Sequence, residues 1–198
     1  MLMTHVLPLG AYQTNCYIIH DESSSACCVI DPGYTPEIIL DRLDALGLTL
    51  EAILLTHGHF DHVGGVKQIA AETGCKVYIC PEELLMPPRF TAGELYYTDT
   101  YTEGDMLQLA GLSLKVLKTP GHTQGSVCLL CGDTLFAGDT LFAGTVGRTD
   151  LPGGDYQTIL SSLRRLRDLE GDYKVLPGHG DSSTLSRERA ENPYLRLC

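Results

Sequence analysis

Apolar positions along the chain fall in short runs separated by turn residues, and their spacing changes from one run to the next. Tyr17–Ile19 and Ala26–Ile30 are continuous apolar stretches, divided by Asp21-Glu22-Ser23-Ser24-Ser25 and ended by Asp31-Pro32-Gly33. This is the pattern of a β-hairpin meander. From Thr35 the period lengthens. Thr35-Pro36-Glu37 offers an N-cap, a proline for the first helical position and an early acid, and Ile38, Ile39, Leu43 and Leu46 follow at helical spacing up to Gly47. The next segments read as a short buried strand at Ala52–Leu55, a helix over Val63–Thr73 closed by Gly74, a strand at Val77–Ile79 and one helical turn at Pro81–Leu85.

The second half repeats this logic. Strands are predicted at Leu107–Leu109, Leu112–Leu117, Val127–Leu130 and Thr134–Ala137, then a helix over Tyr156–Leu169, a strand at Lys174–Leu176 and a polar, partly helical tail. Between the halves, Pro87–Gly104 is rich in Thr, Tyr, Gly and Pro and reads as a long surface loop, of a length that suits a lid, a binding wall or a contact with a second subunit. Its Tyr96, Tyr97 and Tyr101 fit a cleft wall or ordinary packing equally well. Strand runs with interleaved helices in each half predict an α+β fold: two sheets packed face to face with helices on the outer faces, in one domain over residues 1–198.

Composition narrows the partners. A chain of 198 residues with 43% hydrophobic content can bury a core without disulfides. Lys and Arg number 14 against 25 Asp and Glu, a formal charge of −11, with no basic cluster. That argues against nucleic acid and against an anionic membrane surface, which are gripped largely through cations. Met1–Gly10 has no basic region and is interrupted by Thr4, His5 and Pro8, so it reads as neither signal peptide nor anchor. No window approaches the roughly 18 apolar residues of a spanning helix, and a cytoplasmic protein is expected. The eight cysteines read as reduced, mostly buried small hydrophobes. Cys128 and Cys131 have C-x-x-C spacing, but a strand sends them to opposite faces, which removes a joint metal or redox role.

Histidine carries the chemistry. Five of the seven fall in three stretches at predicted strand ends: Thr56-His57-Gly58-His59-Phe60-Asp61-His62, Pro120-Gly121-His122 and Pro177-Gly178-His179. Gly138-Asp139-Thr140 has the same strand-then-turn setting, whereas His5 and His20 read as surface or sheet residues. Imidazole and carboxylate together suit zinc, iron, manganese or cobalt, and residues i and i+2 of a turning segment can clasp one ion from one side. Asp61 and His62 lie just past that clasp and suit a second ion. Two divalent ions offset by Asp61, Asp139 and a bridging hydroxide keep one net positive charge, which favours an anionic transition state.

The H-x-H-x-D-H motif, followed in order by G-H, G-D and a final G-H-G, resembles the metallo-β-lactamase superfamily from Asp31 to His179. Leu135-Phe-Ala-Gly-Asp-Thr-Leu-Phe142 with Gly147-Arg-Thr-Asp150 is most similar to its small glyoxalase II-like hydrolases. The resemblance implies the superfamily's four-layer αββα sandwich. It also implies two divalent ions, zinc first and iron or manganese as alternatives: His57, His59 and His122 would hold one, Asp61, His62 and His179 the other, and Asp139 would bridge them. Asp61 and Asp139 would be the catalytic carboxylates, and Asp31 would orient the histidine loop. The implied reaction is hydrolysis of a small thioester of the hydroxyacylglutathione kind by a metal-bridging hydroxide.

Departures from relatives set the alternatives. Lactam-cleaving members usually place a cysteine at the second ion, and no cysteine here matches a ligand position. Flavodiiron relatives carry Glu where this chain has His59. Full-length glyoxalase II adds a helical C-terminal domain that helps to hold glutathione, and this chain ends 19 residues after His179. Arg148 falls at the basic glutathione-binding position, but the neighbouring aromatic is replaced by Asp150, so Arg148 is either a substrate contact or a structural clasp with Asp150. A persulfide dioxygenase using one iron, a nuclease and a non-catalytic metal module are the rival readings, and a homodimer is left open.

Overall fold

Most strands of this chain carry apolar side chains on both faces, because a layer covers each side. In the computed structural model, which describes residues 1–198, one sheet runs in sequential order: β1 (Leu2–Leu9), β2 (Thr14–Asp21), β3 (Ala26–Ile30), β4 (Thr49–Leu54), β5 (Lys76–Ile79) and β6 (Asp99–Thr100). Helix α1 (Pro36–Leu46) connects β3 to β4, and α2 (Phe60–Val63) and α3 (Val66–Thr73) connect β4 to β5. The second sheet contains β7 (Met106–Leu109), β8 (Leu112–Lys118), β9 (Val127–Cys131) and β10 (Thr134–Gly138). After a β11–β12 hairpin (Leu141–Phe142, Thr145–Val146) and α4 (Tyr156–Arg167), it gains β13 (Lys174–Pro177) and β14 (Ser183–Thr184), giving the order β14-β13-β10-β9-β8-β7. Helices α5 (Leu185–Glu191) and α6 (Pro193–Leu197) end the chain.

Three apolar layers hold the sandwich. Tyr17, Ile19, Cys28 and Ile30 meet Leu114, Val116, Leu129 and Phe136 between the sheets. The alternate residues Cys16, Ile18, Cys27 and Val29 face Ile39 and Leu43 of α1 and Val66 and Ile69 of α3. On the other outer face, Leu117, Cys128, Leu135 and Val175 pack on Ile159, Leu163 and Leu166 of α4. The fold is therefore the αββα sandwich expected from sequence. The C-x-x-C pair divides as predicted, Cys128 under α4 and Cys131 in the layer between the sheets.

Several local details differ from the expectations. The segment read only as lacking signal character is edge strand β1, paired with β2 along its whole length. The helix predicted over Val63–Thr73 is two helices, because the Gly65 N–H leaves the helical ladder to donate to the Pro32 carbonyl at 2.8 Å. Thr35 does not cap α1: its backbone is left-handed at φ 45°, and Pro36 at the first turn has no N–H to satisfy. The loop read over Pro87–Gly104 contains a 3-10 turn at Pro88–Phe90 and the two residues of β6. Tyr101 is no cleft residue; it is buried, and its hydroxyl donates to the Leu55 carbonyl. His5 and His20 lie on β1 and β2, with rings stacked 5.7 Å apart.

Strand direction sets the position of the site. β3 and β4 are parallel, and β8 and β10, each antiparallel to β9, run with β13. The loops carrying Asp31, His57–His62, His122, Asp139 and His179 all leave the C-terminal ends of these strands, the rim where open α/β sheets gather ligands. The two sheets are tied at this rim: Val127 N–H donates to the Thr56 carbonyl at 2.9 Å, and Asn15 and Tyr17 of β2 donate to the Pro177 carbonyl at 3.0 and 2.6 Å.

Candidate metal centre

The strand-end loops bring all seven predicted ligand residues into one cluster. His57, His59 and His122 form one set whose donor atoms lie within 4.8 Å of one another; Asp61, His62 and His179 form a second. Asp139 faces both. Its Oδ1 is 3.4 Å from His62 Nε2, and its Oδ2 is 3.5 Å from both His122 Nε2 and His179 Nε2. His59 Nδ1 and His122 Nε2 approach to 2.9 Å, and His62 Nε2 and His179 Nε2 to 3.3 Å. The loop that presents His179 must come very close: a Cβ on Gly178 would sit 2.2 Å from Asp139 Oδ1 and 2.7 Å from the His62 ring.

The outward nitrogens of four histidines are already committed. His122 Nδ1 donates to the Arg148 carbonyl at 2.7 Å, His179 Nδ1 to the Tyr12 carbonyl at 3.0 Å, and His62 Nδ1 to Asp31 Oδ2 at 2.9 Å. The Thr56 hydroxyl gives its own proton to Asp31 Oδ2 at 2.6 Å, so it accepts from His57 Nδ1 at 3.1 Å. Each of these bonds places a proton on Nδ1 and turns Nε2 toward the cluster, where it is the ligand atom whenever the ring is neutral. His57 Nε2, His59 Nε2 and Asp139 Oδ1 are buried without any hydrogen-bond partner in the protein. Buried polar atoms are rarely left unpartnered in protein interiors. These donors have the type, number and spacing that divalent metal ions require.

The two sets differ in charge. Burial holds His57 well below its ordinary pKa, takes His59 down to about 4 and lowers His122, so this set is three neutral imidazoles with free lone pairs. Burial also pulls on His62 and His179, but there it is outweighed. Asp139 and Asp31 hold His62 well above its usual value, and hydrogen bonds to Asp139 and Asp61 raise His179 to about 9. Burial would lift the carboxyls of Asp61 and Asp139; the histidines outweigh it and keep both below the usual carboxylate range. The second set and Asp139 therefore form a compact ion-paired cluster when free of metal.

The cluster opens into a cleft of about 520 Å³ walled by Tyr12, Phe60, Phe90, Phe142 and Leu151, with Arg148 at its rim. Phe90 comes from the segment read as a long loop, which thus contributes a wall; Tyr96 and Tyr97 line other depressions. The Arg148 guanidinium is bound at both ends by Asp150, Nε to Oδ1 and a terminal amine to Oδ2, each at 2.7 Å. Sequence reasoning missed Thr56, Tyr12 and the Arg148 carbonyl. Only Thr56 had a signal, as the residue opening the histidine motif at a strand end; the other two act through backbone oxygens that any residue type would supply.

Comparisons with known proteins agree with this geometry. The chain matches the family model of the metallo-beta-lactamase superfamily over residues 9–179. It is 36% identical to the hydroxyacylglutathione hydrolase GloC of Haemophilus influenzae, over 96% of this chain and 96% of that protein. Among solved structures, BLEG-1, described as a B3 metallo-beta-lactamase, superposes with a TM-score of 0.91 at 33% identity, covering 98% of this chain and 99% of that one. TTHA1623, solved in a di-iron-bound form, superposes with a TM-score of 0.87 at 36% identity, covering 96% of this chain and 100% of that one. A family match across that span, joined by relatives aligned along nearly their whole length, means that the chain belongs to the metallo-β-lactamase superfamily.

Proposed function

We propose that the protein is a thioester hydrolase working with two divalent ions, His57, His59 and His122 holding one, Asp61, His62 and His179 the other, and Asp139 shared. The observation that carries this reading is Asp139 between two donor sets, its Oδ1 turned to His62 and its Oδ2 to His122 and His179. Zinc is the proposed ion, on a donor set of five imidazoles and two carboxylates; iron and manganese accept the same donors. Such ions, when bound, supply Lewis acidity for a carbonyl oxygen and a water that ionises near neutral pH.

The chain's own groups do the rest. Asp61 accepts from the Thr14 hydroxyl at 3.3 Å and is held among His62 and His179, where its carboxylate can orient the attacking water. The aromatic walls offer apolar surface to the acyl group. A thiolate is a good leaving group that needs no proton from the protein, which suits a cleft whose histidines are all in the ligand sets and whose two carboxyls are held ionised. The similarity to a protein named hydroxyacylglutathione hydrolase supports a thioester of that kind.

The test is hydrolysis of lactoylglutathione, followed by loss of thioester absorbance, with metal-free protein reloaded with zinc, iron or manganese and the ions counted in the same samples. Turnover with about two ions per chain supports the proposal. Two ions without thioester turnover would overturn the substrate class and turn attention to β-lactams and other esters. One iron per chain with oxygen uptake on a persulfide would replace the proposal with the dioxygenase reading.

A further inference from the structure

Glu83 lies outside the histidine motifs, on the 3-10 turn Pro81–Leu85 that follows β5, yet its carboxylate reaches the two loops that carry His57, His59 and His122. It is 1% exposed. Oε2 accepts the Gly58 N–H at 2.6 Å; Oε1 accepts the Gly125 N–H at 2.7 Å and the Thr123 hydroxyl at 2.6 Å. Gly58 is the residue between His57 and His59. Thr123 and Gly125 are one and three residues past His122. The first loop leaves the sheet of β1–β6 and the second joins β8 to β9 of the other sheet, so one side chain links the two layers beneath this donor set.

Two further observations point to this carboxylate as a built feature. The carboxylate packs closely on both glycines: a Cβ on Gly125 would lie 2.8 Å from Glu83 Oε1 and 2.9 Å from the Glu83 backbone nitrogen, and one on Gly58 would sit tightly, 3.0 Å from Oε2. All three donors are neutral, and burial lifts the Glu83 carboxyl above its ordinary range. A buried carboxylate without a cation is costly, and an apolar side chain would fill the volume at lower cost. What a carboxylate adds is two acceptor atoms aimed at two different loops. The second donor set makes no contact with Glu83; it is anchored by the Tyr12 carbonyl and by the Asp31 carboxylate, which also reaches His57 through Thr56.

We propose that Glu83 is a positioning residue for the His57, His59 and His122 set alone, holding the first loop at a fixed distance from His122. The inference rests on the ligand assignment proposed above. In Glu83→Gln the volume is kept, but one acceptor becomes an amide that points its hydrogens at a backbone or hydroxyl donor.

The experiment is zinc competition against a chelator, resolved into two binding steps, on the full chain. His57→Ala and His179→Ala proteins identify which step belongs to which set, and melting of the metal-free proteins is measured in parallel. Glu83→Gln is expected to weaken the step lost in His57→Ala by about 10- to 100-fold, the range for partners that orient metal ligands, and to leave the other step at its wild-type value. Thr123→Val, which keeps the carboxylate and removes one donor, is expected to weaken the same step by a smaller factor, and carries the test if Glu83→Gln does not fold. Equal weakening of both steps alongside a lower metal-free melting temperature would overturn the inference in favour of a general structural role, as would two unchanged steps. A wild-type protein that binds fewer than two ions would overturn the ligand assignment, whatever the variants do.

Discussion

The ring of His122 donates its Nδ1 proton to the backbone carbonyl of Arg148 at 2.7 Å, so the residue at the rim of the cleft holds a histidine of the cluster through its main chain. Its side chain does something unrelated. The guanidinium is exposed and clasped by Asp150, and the two parts are separable by mutation because truncation leaves the carbonyl in place.

Arg148→Ala should therefore bind the same number of ions as the wild type. If the guanidinium contacts an anionic thioester, KM should rise by no more than about fivefold, because water and salt weaken an exposed ion contact. Asp150→Asn, which frees the guanidinium, should lower KM for anionic thioesters by a similar factor, and added salt should erase the difference. Loss of metal from Arg148→Ala would show that the two roles are coupled.

Asp31 sits at φ 51°, an uncommon backbone conformation that Asp tolerates better than most side chains. Its carboxylate accepts the Thr56 N–H at 2.8 Å, the Thr56 hydroxyl at 2.6 Å and His62 Nδ1 at 2.9 Å, so it governs the orientation of both His57, through Thr56, and His62. Asp31→Ala strands those buried donors and is expected to lower the stability of the metal-free protein by roughly 3 kcal/mol and to weaken metal binding about 10- to 100-fold. Asp31→Asn keeps the backbone preference and one acceptor, and should fall between. Denaturant unfolding and chelator competition on the same proteins check both numbers; wild-type affinity in Asp31→Ala would remove its orienting role.

The cysteines give a simpler expectation. Seven are buried, and burial pushes the Cys27 and Cys80 thiols up to about 12 and that of Cys128 to about 11, so they carry almost no thiolate at neutral pH. Only Cys198, at the C-terminus, is partly exposed. A thiol reagent at pH 7.5 should label one cysteine in the native protein and eight after denaturation. Rapid labelling of Cys128 or Cys131 would contradict the packing of β9.

The strands were legible where both faces are buried, because β2, β3 and β9 then read as unbroken apolar runs. β1 was not: it is an edge strand with a single fully buried residue, Leu9, and Thr4, His5 and Pro8 interrupt its pattern. The break between α2 and α3 depends on Gly65 meeting Pro32, a contact between segments far apart in sequence that periodicity cannot carry. At the site, all seven metal-type residues were visible because ligand chemistry restricts the residue types and strand ends restrict the places. Glu83 was invisible for the opposite reason. Nothing about Pro81-Glu82-Glu83 distinguishes an acid that pairs with Lys118 from one that is buried beneath two loops.

The protonation of the second donor set makes metal uptake depend on pH. In the metal-free protein, Asp139 and Asp61 outweigh burial to hold His179 at about 9, and Asp139 and Asp31 push His62 in the same direction, so this set holds on to protons at pH 7 that the other set does not. A histidine raised from 6.5 to about 9 by folding contributes stability that is complete below pH 6.5 and lost as the pH rises through 9. The metal-free protein is thus expected to lose stability over that window. Ions bound by this set must displace those protons, so uptake at pH 7 should release them, and affinity for this ion should climb with pH up to about 9. His57, His59 and His122 are already neutral there, and His59 titrates only near 4, so the other ion should bind with little pH dependence across the same range. Indicator-dye measurement of proton release during zinc titration, from pH 6 to 9, checks this directly; equal release at both steps would show that the two sets do not differ in charge.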